Sequence, residues 1–195
     1  MGHSVGGLLI RAFAARHPDL VAGLVFVDAP HPDQWVRSEL QRNGMPWVRQ
    51  RLLGHFCRAL LGVPGNVANV GETALLPAGG GAATTAMLRL PRPWLGAYRE
   101  ARQAETAWSD AARALSSLSP KPVAVVTAGD TVTRDPARLG LQRKLLELSS
   151  CHRHDVVDEA SHESVVMHES HASAVIDALR WASAASLGTS RQEHG

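Results

Sequence analysis

The 195-residue sequence has few cysteines and no long apolar run. Cys57 and Cys151 are its two cysteines, and they are too far apart in sequence to indicate a disulfide framework or a zinc ligand set. We expect both to be free thiols, and we expect a cytoplasmic location. The longest apolar run, Leu20 to Val27, is far below the roughly 20 residues that cross a bilayer, and Met1 is followed by Gly-His-Ser without an apolar signal region. We therefore expect no membrane span and no secretory signal in the chain as it stands.

An excess of charge of one sign is also missing. Lys and Arg total 20 against 18 Asp and Glu, a formal net charge of +2, and the basic residues are spread along the chain. This distribution lacks the basic patch of a nucleic-acid-binding protein, so we expect no nucleic-acid partner. Only Lys121 and Lys144 are lysines, a skew that GC-rich codons explain and that favours a bacterial source.

Continuous apolar segments alternate with helical patterns, which indicates an α/β fold with parallel strands and flanking helices. The length fits one domain. The candidate strands are Leu20 to Asp28, Pro122 to Ala128 and, more weakly, His154 to Val157. There are three candidate helices outside the middle of the chain. The first begins near residue 4 and ends at His17, the second covers Asp135 to Leu148, and the third runs from an N-cap at Ser170 to about Ala185.

The middle of the chain interrupts this alternation. Residues 30–118 hold four of the five tryptophans and several helical stretches, which we interpret as a mostly helical cap or lid inserted into a core of residues 1–29 and 119–185. We expect residues 186–195 to form a disordered tail. The run Gly79 to Gly81 lacks the Lys-Ser/Thr of a phosphate loop and has no preceding strand, so it predicts a flexible loop and no nucleotide site.

The strongest chemical motif lies at the start of the chain. Gly2-His3-Ser4-Val5-Gly6 fits G-x-S-x-G, the nucleophile elbow, in which a tight strand-to-helix turn exposes a serine hydroxyl. The flanking glycines are expected because the turn leaves no room there for side chains. A helical pattern follows at once and a buried strand pattern comes soon after, which is the context that the motif requires.

The residues Gly2-His-Ser-Val-Gly-Gly-Leu-Leu and Ala14-Ala-Arg-His-Pro-Asp-Leu-Val-Ala-Gly-Leu-Val-Phe-Val-Asp resemble the elbow, the next helix and the next strand of the α/β-hydrolase superfamily. The resemblance implies the C-terminal part of that fold, from the elbow onward. It implies a serine hydrolase acting on an ester or other acyl bond of a small-molecule substrate, without a cofactor. A serine nucleophile, Ser4, argues against dehalogenase or epoxide hydrolase chemistry, which both use a carboxylate in this family.

The family order of serine, acid and histidine suggests the partners of Ser4. His162 lies after the last candidate strand and before the last helix, where the family keeps its base. The competing histidines nearby fall within predicted elements: His152, His154, His168 and His171. The sequence His152-Arg-His154-Asp155 is an incomplete ligand run, so we expect no metal.

The acid is open among several aspartates. Asp130 follows the third candidate strand, where the family usually places its acid, and is the first choice, although its spacing from the strand fits poorly. Asp28, at the end of the preceding strand, is the alternative, because some relatives move the acid there. Asp33 and Asp135 remain further possibilities.

The family places several strands before the elbow, and this sequence has one residue there. In the family, the part of the fold before the elbow also contains the loop that supplies a second N–H to the oxyanion. Only the N–H of Val5 is therefore expected to stabilise the oxyanion here. We therefore expect a fragment of a larger enzyme, prone to aggregation and without esterase activity. The alternative to an active hydrolase is accordingly a truncated, catalytically inactive fragment. A carrier or interaction protein has only the tryptophans in its favour.

Overall fold

The computed structural model describes residues 1–63, 76 and 79–192, with side chains as far as residue 188. A parallel sheet of four strands forms its centre, in the order β1-β2-β3-β4. The strands are β1 (Gly2–His3), β2 (Leu24–Val27), β3 (Val123–Ala128) and β4 (His152–Val157). Because all four run in the same direction, their carboxyl ends meet at one edge of the sheet.

The two central strands are buried along their whole length, as their continuous apolar sequences predict. Their side chains alternate between two cores. Leu24 and Phe26 of β2 face one core, and Val25 and Val27 face the other. The expected α/β class with parallel strands is confirmed.

Helices cover both faces of the sheet. On one face, α1 (Gly6–Arg16) and α8 (Arg138–Leu146) contribute Ala14 and Leu145 to the core with Phe26. On the other face, α10 (Glu169–Gln192) contributes Val175 and Ala178. A short helix, α9 (Ser164–Met167), precedes α10.

The described part of residues 30–118 is mostly helical. Its helices are α2 (Gln34–Arg37), α3 (Glu39–Leu60), α4 (Gly80–Leu88), α5 (Pro91–Gln103) and α6 (Ser109–Arg113), with a π-helical turn at Ala104–Trp108. Trp35 and Trp94 are buried, whereas Trp47 is exposed. Gly79 caps α4 and the next two glycines lie inside it, so the prediction of a flexible loop is wrong there. Pro77 and Ala78 lie outside the described residues.

Several predicted boundaries shift. The first helix begins at Gly6 because residues 2 and 3 pair with β2, and Pro18–Leu20 forms a 3₁₀ turn ahead of β2. Strand β4 is longer than predicted, because its first residues pair with β3 although they are polar. Helix α10 continues to Gln192, so residues 186–192 are helical and the prediction of a disordered tail is wrong for them. Short helix α7 (Gly129–Arg134), which periodicity could not reveal, follows β3 directly.

Among the described residues, no helix combines the length and the apolar character needed to span a membrane.

Candidate active site

Ser4 lies in a strained turn between β1 and α1. Its φ angle of 52° is in the left-handed region, which a residue with a side chain rarely adopts. A Cβ on Gly2 would lie 2.4 Å from the carbonyl oxygen of Gly6, so only glycine fits at that position. A Cβ on Gly6 would meet no atom within 4 Å. The expected steric need for glycine therefore holds at the first glycine of the motif and not at the last.

Asp28 follows β2 directly and is fully buried. Its φ angle of 40° is also left-handed, and its N–H donates to the carbonyl of Val126 at 2.7 Å, which ties it to β3. The N–H of Ser4 donates to the carbonyl of Val27 at 3.1 Å. The two residues therefore leave neighbouring strands at the same edge of the sheet.

His162 lies in the turn between β4 and α9. The N–H of Ser161 donates to Ser164 Oγ at 2.8 Å, and the N–H of Ser164 donates to Ser161 Oγ at 3.0 Å, a reciprocal capping arrangement that encloses the histidine. His3 Nε2 lies 2.8 Å from the carbonyl oxygen of His162, and the two rings are 4.7 Å apart. Because a carbonyl oxygen only accepts, His3 carries the proton on Nε2 and donates it there. Burial, followed by the charge of His162, lowers the pKa of His3.

These three elements bring Ser4, His162 and Asp28 into one hydrogen-bonded chain. His162 Nε2 lies 2.9 Å from Ser4 Oγ, and His162 Nδ1 lies 2.6 Å from Asp28 Oδ2. Both oxygens are at hydrogen-bond distance from opposite nitrogens of one ring. An ionised Asp28 accepts a hydrogen bond from the N–H at Nδ1, which leaves Nε2 unprotonated and free to accept a hydrogen bond from the serine hydroxyl.

Asp28 is held by more than the histidine. Arg138 Nη2 lies 3.1 Å from Asp28 Oδ1 and donates to the Asp28 carbonyl oxygen at 2.7 Å. Thr131 Oγ1 donates to Oδ1 at 3.0 Å, and the N–H of Ala128 donates to it at 3.2 Å. Burial acts to raise the pKa of Asp28, but the hydrogen bond to His162 and the charge of Arg138 outweigh it and hold this pKa well below its ordinary value.

Asp130, the first choice from sequence, is not part of this chain of contacts. It is in the first turn of α7, where Oδ2 lies 3.1 Å from Arg134 Nη2, and its side chain is 43% exposed. Its N–H donates to the carbonyl of Ala160 at 3.1 Å, so Asp130 braces the His162 turn through its backbone. The placement of Asp130 beside the histidine is therefore corrected in favour of Asp28. The reason is that Asp28 leaves β2, the strand that adjoins β1, whereas the side chain of Asp130 turns toward Arg134 within α7.

The other candidate acids and histidines have different partners. Asp33 pairs with Arg113, and Asp135 accepts from Ser38 Oγ at 2.7 Å. The four competing histidines bond to serine, to threonine or to a backbone carbonyl: His152, His154, His168 and His171. No group of three His, Cys, Asp or Glu side chains suited to a metal occurs among residues 1–63, 76 and 79–188. Both cysteines are free thiols.

A cavity of about 420 Å³ opens at Ser4 and His162. Val5 also lines it. The remaining walls come from α2 and the first half of α3, and from α7 with the start of α8. The cavity thus places the serine hydroxyl where a small molecule can reach it.

Sequence reasoning missed Arg138, Thr131 and His3. Arg138 and Thr131 carry no motif, because an arginine and a threonine on predicted helices are usually surface residues. His3 occupies a variable position of the G-x-S-x-G motif, so the motif assigns no role to it. These three residues are identified only by their contacts in the folded chain, of Arg138 and Thr131 with Asp28 and of His3 with His162.

Comparison with known proteins agrees with the geometry. Residues 1–67 match a family model described as the alpha/beta hydrolase fold. No curated protein matches the chain. The matched segment contains the elbow, α1, β2 and Asp28, which are the parts that position Ser4 and its acid neighbour. This match, together with the parallel sheet and its flanking helices, supports a relationship of the chain to the α/β-hydrolase superfamily.

Proposed function

We propose that the protein is a serine hydrolase that cleaves an ester or other acyl bond, with Ser4 as nucleophile, His162 as base and then acid, and Asp28 as the orienting carboxylate. One observation carries the proposal: His162 bridges Ser4 Oγ and Asp28 Oδ2 at 2.9 and 2.6 Å. A serine, an imidazole and a carboxylate in this order form an activated nucleophile.

The reaction begins when Ser4 Oγ attacks the carbonyl carbon and His162 Nε2 takes the hydroxyl proton. The carbonyl π electrons move to oxygen, and the N–H of Val5 is the donor that we assign to this oxyanion. The tetrahedral intermediate then expels the alcohol, which receives the proton from His162. Water repeats the sequence on the acyl-Ser4 ester, with His162 as base, and releases the acid. Asp28 remains ionised throughout, since its low pKa keeps a negative charge beside the imidazolium.

The test is covalent labelling with a fluorophosphonate probe, which phosphonylates an activated serine. The sequence alone predicts an inactive fragment, but the contacts of His162 with Ser4 and Asp28 lead us to expect the opposite: the wild-type chain should be labelled and Ser4→Ala should not. Ser173→Ala, which removes an exposed hydroxyl on α10, is the matched control and should be labelled like wild type. Peptide mapping should locate the adduct on Ser4.

Either of two results overturns the assignment. Labelling that persists in Ser4→Ala places the nucleophile elsewhere. A folded wild-type chain that is neither labelled nor active on activated esters supports a non-catalytic scaffold.

A further inference from the structure

The cavity at Ser4 has two chemically different sides. On the side of α2 and α3, most of the lining side chains are apolar (Trp35, Leu40, Met45 and Val48), and two are polar, Gln34 and Gln41. On the side of α7 and the His162 turn, the lining side chains include Thr131, Arg134 and Glu163. A substrate that fills this cavity is therefore apolar at one end and polar at the other.

The apolar side is continuous with the nucleophile. Trp35 packs with Leu8 of α1, and both Val5 and Met45 pack against this cluster. Val5 is the residue after Ser4 and carries the proposed oxyanion N–H. The apolar surface therefore starts next to the reacting carbonyl and extends along α3.

Helix α3 supplies much of this apolar surface. Its sequence runs for 22 residues, yet none of its side chains is fully buried. Met45 and Val48 are three positions apart and therefore share one face of the helix, the face that lines the cavity. Covering that face with an apolar ligand removes hydrocarbon surface from water on both partners.

The chemistry decides which end of the substrate lies on which side. The leaving alcohol must reach His162 Nε2, because the alcohol takes its proton from that atom. Glu163 follows His162 directly, so the leaving group lies on the polar side. The acyl chain extends from the opposite side of the carbonyl, past Val5 and toward α3.

We propose that Trp35, Met45 and Val48 form the acyl-binding surface, and that the substrate is an ester of an apolar, aliphatic acid with a small or polar alcohol. This inference rests on the proposed function and specifies its substrate class. Arg134 and Glu163 lie at the alcohol end, where charged side chains disfavour an alkyl group.

Two isomeric esters test the orientation. Ethyl hexanoate and hexyl acetate have the same formula, C8H16O2, but carry the long chain on opposite sides of the carbonyl. We expect kcat/KM for ethyl hexanoate to exceed that for hexyl acetate at least tenfold, measured by proton release in a pH-stat. Equal rates or a preference for hexyl acetate would overturn the assignment of the two sides.

A chain-length series tests the residues. From p-nitrophenyl acetate to butanoate to hexanoate, kcat/KM should rise by up to about fourfold per added CH₂, equivalent to about 0.8 kcal/mol. Val48→Trp fills the α3 side and should abolish the rise in kcat/KM beyond butanoate. Leu53→Trp adds the same ring to an exposed position of α3 outside the cavity and should keep the wild-type profile.

The outcomes separate the two proposals. Absence of both ester hydrolysis and fluorophosphonate labelling contradicts the proposed function. Ser4-dependent hydrolysis with a flat chain-length profile, or with the same profile in Val48→Trp as in wild type, leaves the function intact and overturns the acyl-binding surface.

Discussion

At the scale of single residues, Asp28 is a carboxylate that stays charged although it is buried. It is fully buried, its backbone is left-handed, and its carboxylate contacts a histidine, an arginine, a threonine and a backbone N–H. Burial without these partners would favour the neutral acid, which cannot stabilise an imidazolium. The partners keep Asp28 charged.

Exchanging the two candidate acids for asparagine distinguishes them. Asp28→Asn should reduce kcat on an activated ester by about 10⁴-fold, the size of loss known when the orienting carboxylate of such a site becomes an amide. Asp130→Asn should change kcat less than about threefold, because Asp130 contacts Arg134 at the surface and its backbone bond to Ala160 is kept. Steady-state kinetics of the two purified variants is the measurement, and a larger effect of Asp130→Asn would reverse the assignment.

Arg138 is the counter-ion that Asp28 requires. Both side chains are buried, so Arg138→Met leaves a carboxylate without its cation and should lower the free energy of unfolding by about 3 to 5 kcal/mol. Arg153→Met removes a partly exposed pair with Asp155 and should cost less than about 1 kcal/mol. Urea titration of both variants measures the free energy of unfolding. Equal losses would show that the buried pair contributes no more to stability than the partly exposed pair.

At the scale of elements, the site depends on a close contact between the ends of β3 and β4. A Cβ on Gly129 would lie 2.2 Å from the carbonyl oxygen of Asp158, too close for any side chain. This contact brings the turn that contains His162 toward β2, and the bond from the N–H of Asp130 to Ala160 fixes it. Ser4 and Asp28 are positioned by the strands that they follow, whereas the position of His162 also depends on this contact between the ends of β3 and β4.

Gly129→Ala tests the junction. The methyl group must push the Asp158 backbone away, so we expect a loss of about 1 to 3 kcal/mol in unfolding free energy. A Cβ on Gly140, in α8, meets no atom within 4 Å, and Gly140→Ala should be neutral or stabilise by up to about 1 kcal/mol. Fluorophosphonate labelling should slow in Gly129→Ala and stay unchanged in Gly140→Ala. Equal stability of the two variants would contradict the steric argument.

At the scale of the whole molecule, the free energy of unfolding should depend on pH through a buried histidine. Burial, with the charge of Arg11, lowers the pKa of His31 to about 4 from 6.5. Its Nδ1 accepts from the N–H of Asp33 at 3.1 Å, which requires the neutral ring. Between pH 6.5 and 4 the unfolded chain binds a proton that the folded chain does not, so stability falls as the pH falls through this window.

From pH 7.5 to 5.0, His31 should contribute about 2 kcal/mol to the loss of unfolding free energy. His31→Asn keeps an acceptor for the N–H of Asp33 and should show a loss smaller by that amount. His17→Asn changes an exposed histidine and should follow the wild-type curve. Urea unfolding at the two pH values is the measurement, and parallel curves for wild type and His31→Asn would contradict the prediction.

Much of the molecule follows from local sequence. The apolar segments around Phe26 and Val125 predict buried parallel strands, because strands covered on both faces need apolar side chains at every position. The motif around Ser4 predicts the turn between β1 and α1, since its backbone geometry is specified by a few adjacent residues. The position of His162 between the last strand and the last helix is equally a property of chain order.

Other features were decided only by tertiary structure. Asp28 and Asp130 both follow a strand, and their sequence surroundings do not show which strand adjoins β1. Pairing of β1 with β2 places Asp28 next to Ser4, and α7 turns Asp130 toward Arg134. Arg138 reaches Asp28 from 110 residues away in sequence, a contact that no local pattern records. Local propensity and periodicity determine which elements form, whereas the partners of a buried charge depend on how those elements pack together.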